Sequence, residues 1–415
     1  MKVFKFGGAS VKDAAGIANV ARILQSSGDA PLVVVVSAMG KTTNALEKLL
    51  STARRGDNYK TEYDALQHYH ATVLQELFPP EHDVFSAVDT LFADLSNALR
   101  QDGPYDRIYD QVVAFGELIS TTIVHHYLVE SGLSSQWLDA REYVMTDETY
   151  REGKVDWQKT RSRMRELHDK MRFHRFLITQ GFIGKSPAGF TTTLGRDGSD
   201  FTAAIFAACL GAKSVTIWKD VAGVMNADPK RMPTVQVFPE LPFREAAEMT
   251  YYGASVIHPK TIQPLATQGI PLYVKNFDDP TLPGTLIHEC RIDNLPPLIV
   301  FKENQCLVSC KVTDYTFITE EHMRQIFSTL TALNIRINVM QNSAISFSFC
   351  FDFRESKLRA LIAKLQPDFE IFYNTGLTLI TVKNYDAHSI DIYRKKPGVL
   401  MEQSSRTTFQ ILLRN

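Results

Sequence analysis

Three stretches of this chain concentrate residues able to hold an anion. KFGGAS (5–10) sets a lysine one residue ahead of paired glycines and a hydroxyl. TTTLGRDGSD (191–200) packs threonines, two glycines, an arginine and two aspartates ahead of the apolar run FTAAIFAACLG. IWKDVAGVMNADPK (217–230) places Lys219 and Asp220 after an apolar stretch, then a loop of Gly, Asn and Pro. Glycines let backbone amides approach a ligand closely, and a helix that starts after such a loop turns its positive end toward an anion. None of the three is a GxxxxGK[ST] or GxGxxG pattern. Ser199 or Asp200 would cap a helix over 200–210, but capping gives Arg196 and the threonines no role. Phosphate binding is the chemistry the three loops share.

A parallel sheet would bring them together. KVFKF precedes a helix over 13–27, and PLVVVVSAM (31–39) precedes one over 44–54. FLITQGFIG (176–184), SVTIWKDV (214–221) and IPLYVKNF (270–277) read as further strands. A continuous run such as LVVVV marks a strand covered on both faces, hence a mostly parallel sheet between helix layers. Ligands of such sheets bind outside the carboxyl ends of the strands, so the three loops should gather on one edge. Residues 58–130 read as long helices broken at PP (79–80) and DGP (102–104). REYVMTDETYREGKVDW (141–157) reads as a solvated surface loop.

Near residue 290 the pattern changes. LVSCKVT (307–313) alternates as a strand, 318–334 as an amphipathic helix, RINVMQNSA and ISFSFCFDF as strands, SKLRALIAKLQ as a helix and FEIF as a strand. That is a βαββαβ unit. LTLITVKNY (377–385) begins a shorter copy, in which QSSRTTFQI (403–411) echoes QNSAISFSF (341–349) and DAHSIDIYRKK stands in for a full helix. A length of 415 residues allows two or three domains, and a net charge of −1 gives no argument for nucleic acid or an anionic membrane. The five cysteines (Cys209, Cys290, Cys306, Cys310, Cys350) form no CxxC pair; Cys306 and Cys310 should face one side of a strand. No zinc partners stand out, so free buried thiols, no metal site and a reducing compartment are expected. The start of the chain shows no apolar signal region and no run reads as a membrane span, which predicts a cytoplasmic, soluble protein.

KFGGASV, VVSAMGKTTN, FGE (115–117), GFIG followed by TTTLGRDGSD, DVAGVMNADP and EMTYYGASVIHP stand in an order and spacing that resembles aspartate kinase, of the amino-acid kinase superfamily, over about residues 1–290. The resemblance implies an α/β fold: a three-layer, mostly parallel sheet of the amino-acid kinase type over 1–288. It further implies α+β ACT modules (βαββαβ) at 300–376 and, shortened, at 377–415. It implies ATP and Mg2+, and transfer of a phosphoryl group to the side-chain carboxylate of L-aspartate, giving 4-phospho-L-aspartate, the first step toward lysine, threonine and methionine. That carboxylate, with an ordinary pKa of about 3.9, needs no catalytic base; the site must instead bring two anions together and neutralise them.

By the same resemblance, Lys5 stabilises the transferring group, and Asp220 orients the lysines or the Mg2+ environment. Arg196 clamps the substrate α-carboxylate, and Glu117 and Asp200 take its ammonium. Ser37, Thr43 and Ser199 supply hydrogen bonds; Gly7, Gly8, Ser10, Lys219, Met225, Lys230 and Ser255 surround ATP. The chain departs from the commoner pattern at Ala9, Asp197, Lys219, Met225, Lys230 and Ser255, where threonine, glycine, a hydroxyl residue, an aromatic, arginine and lysine are usual. Lys219 is expected to supply the charge that Ser255 cannot. The ACT-like region implies lysine or threonine as effector, with Asp314, Ile318, Asn338, Val339 and Met340 as candidate contacts, and a homodimer or larger assembly. The length leaves no room for a fused homoserine dehydrogenase. Two readings compete: a sister kinase acting on glutamate, acetylglutamate or UMP, and a catalytically silent ACT-bearing sensor. Ala9 and Ser255 suggest the sensor; the retained Lys5, Glu117, Arg196 and Asp220 oppose it.

Overall fold

The computed structural model describes residues 1–414 apart from Pro233, Ser255, Val256, Asp314 and Tyr315. It divides into two compact units: 1–224 with 237–247 and 255–291, and 225–236 with 248–254 and 292–415.

Alternation decides what the first strand, β1 (Lys2–Phe6), offers to each side. Phe4 and Phe6 enter one core, while Val3 and Lys5 face the other layer. β1 pairs in parallel with β2 (Leu32–Val36) on one side. All five residues of β2 are buried, as its uninterrupted apolar run predicts. The further strands of this unit are β3 (Ser135–Leu138), β4 (Phe176–Gln180), β5 (Ile183–Lys185), β6 (Thr191–Thr193), β7 (Val215–Lys219), β8 (Glu240–Pro242), β9 (Leu272–Asn276) and β10 (Thr285–His288). One eight-stranded sheet runs β3-β4-β2-β1-β7-β9-β10-β8; β5 and β6 form a separate hairpin. Every pair in the large sheet is parallel except β9 with β10.

Helices α1 (Ala14–Gln25), α2 (Thr42–Arg54), α3 (Lys60–Leu77), α4 (Val84–Leu99) and α5 (Tyr105–Glu130) pack their apolar stripes with the aromatic face of β1 into one core. α5 is apolar and long enough to cross a bilayer by length and composition, contrary to the expectation that no run reads as a membrane span. In the structure 67% of its most apolar window is buried, and it serves as a core helix carrying Glu117. After α6 (Trp157–Met164) and α7 (Leu167–Phe173), α8 (Gly198–Leu210) covers the face of β1 that Lys5 presents. α9 (Phe243–Tyr252) and α10 (Pro259–Thr267) complete the order up to residue 291.

The 141–157 segment is not the solvated loop its charges suggest. Tyr143, Val144 and Thr146 are buried, and Thr146 hydrogen-bonds Thr192 on β6 at 2.6 Å. Asp110 of α5 holds the segment, accepting from the Arg151 amide at 2.9 Å and from the Thr193 amide and hydroxyl at 2.9 and 2.8 Å. Burial raises the Asp110 carboxyl to about 6, against the pull of these donors.

The second unit is one antiparallel sheet of six strands: β11 (Leu298–Val312), β12 (Ile337–Asn342), β13 (Ser346–Asp352), β14 (Phe369–Lys383), β15 (Val399–Ser404) and β16 (Thr408–Arg414), ordered β12-β13-β11-β14-β16-β15. α11 (Glu320–Ala332) and α12 (Glu355–Leu365) pack on one half, and α13 (Ala387–Arg394) packs on the other. The first copy is a full βαββαβ unit; the second has four strands and the single helix α13, and the two do not follow end to end. β11 and β14 run through both: residues 305–312 pair with 369–377, and 298–302 pair with 379–383. The second copy takes its first strand from 298–302, upstream of the first copy, so 377–415 is not a module by itself. Asn304 and Gly376 mark the two crossings with φ of 52° and 67°. Cys306 and Cys310 lie in one buried cluster, on one side of the strand as their spacing predicts.

Candidate active site

Lys5 ends on β1 with its ammonium buried, 2.6 Å from Oδ1 of Asp200 in the first turn of α8. Lys219, the last residue of β7, reaches Oδ2 of the same carboxylate at 3.5 Å. The strands are neighbours, so one buried acid holds two cations from adjacent carboxyl ends. Burial alone would raise the Asp200 pKa, but the Lys5 and Lys219 ammoniums hold it below the usual carboxylate range.

The loops after β1 and β2 meet beside it. Gly8 donates no room for a side chain: a Cβ there would sit 2.6 Å from the Ala38 carbonyl oxygen. The Gly40 amide bonds the Gly8 carbonyl at 2.9 Å, which fixes that approach. Gly181, after β4, likewise lies where a Cβ would fall 2.3 Å from Cβ of Ser199. These contacts bring the 7–10, 37–41, 181 and 198–200 segments to one place.

Glu117 points into it from α5. Its Oε1 accepts from the Ala38 amide at 3.3 Å, while Oε2 is buried with no hydrogen-bond partner. Burial pushes its carboxyl up to about 8, with the Ala38 amide and the Lys5 charge pulling the other way. An acid held in this way is mostly protonated at neutral pH and ionises more readily with a cation beside it. Thr42, which sequence reasoning passed over in favour of Thr43, is buried at the start of α2 with an unpartnered Oγ1. Its signal was the second hydroxyl of the same GKTTN stretch.

The TTTLGRDGSD loop (191–200) turns sharply into α8. Asp197 sits at φ 54° and ψ 28°, the left-handed region where glycine is at ease and aspartate is among the better-tolerated alternatives. The helix begins at Gly198, and neither Ser199 nor Asp200 caps it; Asp197 is the N-cap residue and gives no side-chain bond. That correction frees Asp200 for the lysines. Both lysines lie on Asp200, which leaves the Mg2+ environment as the expected place of Asp220. Asp220 is exposed and lines a cleft of about 400 Å³ with Ala9, Ser10, Lys12, Asp13 and Asn19. Arg196 is not brought to Glu117: its side chain is 81% exposed, with Asp197 3.8 Å away. Ser37 and Thr43 are half-buried, and Ser10 and Ser199 are buried. Met225 and Lys230 fall in the second unit, and Ser255 lies outside the described residues.

Of the candidate effector contacts, Val339 is buried and Met340 exposed. Ile318 packs on the α11–α12 core. Asn338 is tied to Lys302 at 2.8 Å, Gln305 at 2.6 Å and Asp352 at 3.0 Å. Asp314 lies outside the described residues.

A mostly parallel sheet with cations and glycine loops at its carboxyl edge defines an α/β phosphoryl-transfer class of protein. Residues 1–276 match the amino acid kinase family, and the chain belongs to that family. Its relatives are aspartokinases. It is 30% identical to lysine-sensitive aspartokinase 3 of Escherichia coli over 398 residues, 92% of this chain and 87% of that one. It is 30% identical over 390 residues to a chloroplastic bifunctional aspartokinase/homoserine dehydrogenase 2 of Arabidopsis thaliana, covering 90% of this chain and 42% of the bifunctional enzyme. Escherichia coli aspartokinase III, solved with aspartate and ADP, superposes with a TM-score of 0.85 at 27% identity, over 100% of this chain and 96% of that one.

Proposed function

We propose that the chain is an aspartate kinase that transfers the γ-phosphoryl group of ATP to the side-chain carboxylate of L-aspartate, giving 4-phospho-L-aspartate and ADP. The observation that carries the reading is the pairing of a two-lysine cluster on Asp200 with a buried, half-satisfied Glu117 beside the glycine loops. The lysines suit a transferring phosphoryl group, and Glu117 suits the ammonium of an amino-acid substrate.

The acceptor is already an anion at neutral pH, so no group has to remove a proton from it. Lys5 and Lys219 offset the repulsion between that anion and the phosphates, and Asp200 holds both ammoniums in place so that no reorganisation is needed as charge shifts. Glu117 fixes the ammonium, with Ser37, Thr42, Thr43 and Ser199 as the hydroxyls around it. Gly7, Gly8 and Ser10 present the backbone to the phosphates. Arg196, on the turn before α8, clamps the α-carboxylate once its side chain swings in.

Mg2+ neutralises phosphate charge when bound. The donors present fit it: Asp220 and Asp13 line the cleft beside the glycine loop and offer the hard carboxylate oxygens this ion takes. Lysine or threonine acts through the second unit as effector, in keeping with the lysine sensitivity in the name of the Escherichia coli relative. A homodimer is the expected assembly.

The test is incubation with ATP, Mg2+, L-aspartate and hydroxylamine, which traps an acyl phosphate as the hydroxamate. Hydroxamate that depends on aspartate and not on glutamate supports the reading, and the same assay with lysine or threonine added reads the effector. A folded, ATP-binding protein that gives none, or that prefers glutamate, refutes it.

A further inference from the structure

No metal partners for Cys290 stand out in the sequence, but the fold assembles them. β8 and β10 pair in parallel with Leu286 opposite Glu240 and His288 opposite Pro242. Residues two apart share a face of an extended strand. Glu240 and His288 therefore project to one side, and Cys290 follows two residues beyond His288. In the structure the carboxylate of Glu240, a ring nitrogen of His288 and the sulfur of Cys290 all lie within 4.8 Å of one another. His288 Nε2 touches Glu240 Oε1, and the Cys290 thiol also hydrogen-bonds Glu240. Glu289 adds a second negative charge next to the sulfur. All three groups are half-buried, within reach of solvent. Among the described residues, this is the cluster of three His, Cys or acidic groups that brings its ligand atoms this close.

We propose that Glu240, His288 and Cys290 form a metal site of the zinc class, with the fourth position open to water or an outside ligand. Thiolate, imidazole and carboxylate together suit Zn2+ and are a poor set for Mg2+ or Ca2+, which take oxygen ligands. Bonds of about 2.0–2.3 Å to a tetrahedral ion place neighbouring ligand atoms about 3.3–3.8 Å apart. The present separations, all within 4.8 Å, lie about 1 Å or less outside that spacing. On binding, the ion takes the sulfur, the neutral ring nitrogen and one carboxylate oxygen; the thiol proton leaves to solvent, and nothing is oxidised or reduced. The ion clamps β8, an edge strand of three residues, to β10. The site is remote in kind from phosphoryl transfer and stands whether or not the kinase reading does.

The test uses the full chain, stripped with a chelator and titrated with Co2+. One equivalent should bind with a near-ultraviolet thiolate-to-cobalt band, and Zn2+ should displace it. Cys290→Ser should lose the band, and His288→Asn should weaken binding by more than the about 10–100-fold that loss of an outer partner costs. One equivalent of Zn2+ should raise the melting temperature of the wild type but not of Cys290→Ser. Should Cys290→Ser fail to fold, Glu240→Gln keeps a hydrogen-bonding group of the same shape and should retain the band at weaker affinity. Co2+ binding without a thiolate band, or an affinity untouched by these substitutions, overturns the proposal.

Discussion

Glu117 sets a pH dependence that can be worked out from its surroundings. Burial pushes its carboxyl to about 8 in the ligand-free protein. Capturing a substrate ammonium needs the ionised form, so at pH 7 binding must first remove a proton at a cost on the order of 1 kcal/mol, and about twice that at pH 6. The apparent Kd for aspartate should therefore fall about tenfold per pH unit from 6 toward 8 and level off above it. At pH 7 about 0.9 proton should be released per aspartate bound. Isothermal titration in two buffers of different ionisation enthalpy counts that proton directly. Glu117→Gln should bind aspartate weakly, with no proton release and little pH dependence. The same group acts on stability with a fixed sign. Its folded pKa lies above the unfolded value near 4.5, so the native state binds more protons between pH 4.5 and 8, and its contribution to stability falls as pH rises through that window. Glu117→Gln should thus raise the melting temperature at pH 8 and leave it unchanged below pH 4.5. Aspartate binding with no proton exchange at pH 7 and a flat Kd would refute the assignment of Glu117 as the ammonium site.

Lys219→Met should lower kcat/KM for ATP by about 10²–10³, the loss typical of a transition-state cation or donor, with aspartate binding little changed; values near wild type would remove Lys219 from the mechanism. Gly8→Ala forces a methyl onto the Ala38 carbonyl, so it should cost about 1–3 kcal/mol in denaturant unfolding and most of the activity, whereas Gly211→Ala, which strains only the left-handed C-cap of α8, should cost about 1 kcal/mol and leave activity intact. Burial holds His70 and His125 down to about 4. The unfolded chain then binds more protons between pH 6.5 and 4, so stability should be lost as pH falls through that range, and His70→Gln should flatten the slope measured by urea unfolding.

Elements with a strong local pattern were legible in the sequence. LVVVV reads as a doubly covered strand because no polar residue interrupts it, and the glycine pairs mark the close turns at strand ends that the structure shows at Gly8. The pairing of Lys5 and Lys219 on Asp200 was not legible. It depends on β1 and β7 being neighbours, a long-range fact that no local spacing encodes. The resemblance put Asp220 beside the lysines, whereas Asp200 reaches both of them from the first turn of α8. The 141–157 segment misled through its charges: its polar residues are satisfied by Asp110 and by the edge of the β5–β6 hairpin, and only the intervening Tyr143 and Val144 betray the burial. Glu240, His288 and Cys290 escaped for a related reason, since 48 residues separate the first two.

The shared strands of the C-terminal sheet have a consequence for how this half of the molecule can be cut or rebuilt. Because residues 305–376 sit between the first strand of the other repeat and its remainder, that segment is an insertion, and its ends meet where β11 and β14 cross. Excising it and joining Lys302 to Leu377 would close a complete small repeat on itself. Ending the chain at 376 would instead strand residues 298–302 with no partner on the β14 side. Genetic dissection of this region should follow that nested grammar, with parentheses opening at 303 and closing at 376, and not the linear order of the two copies.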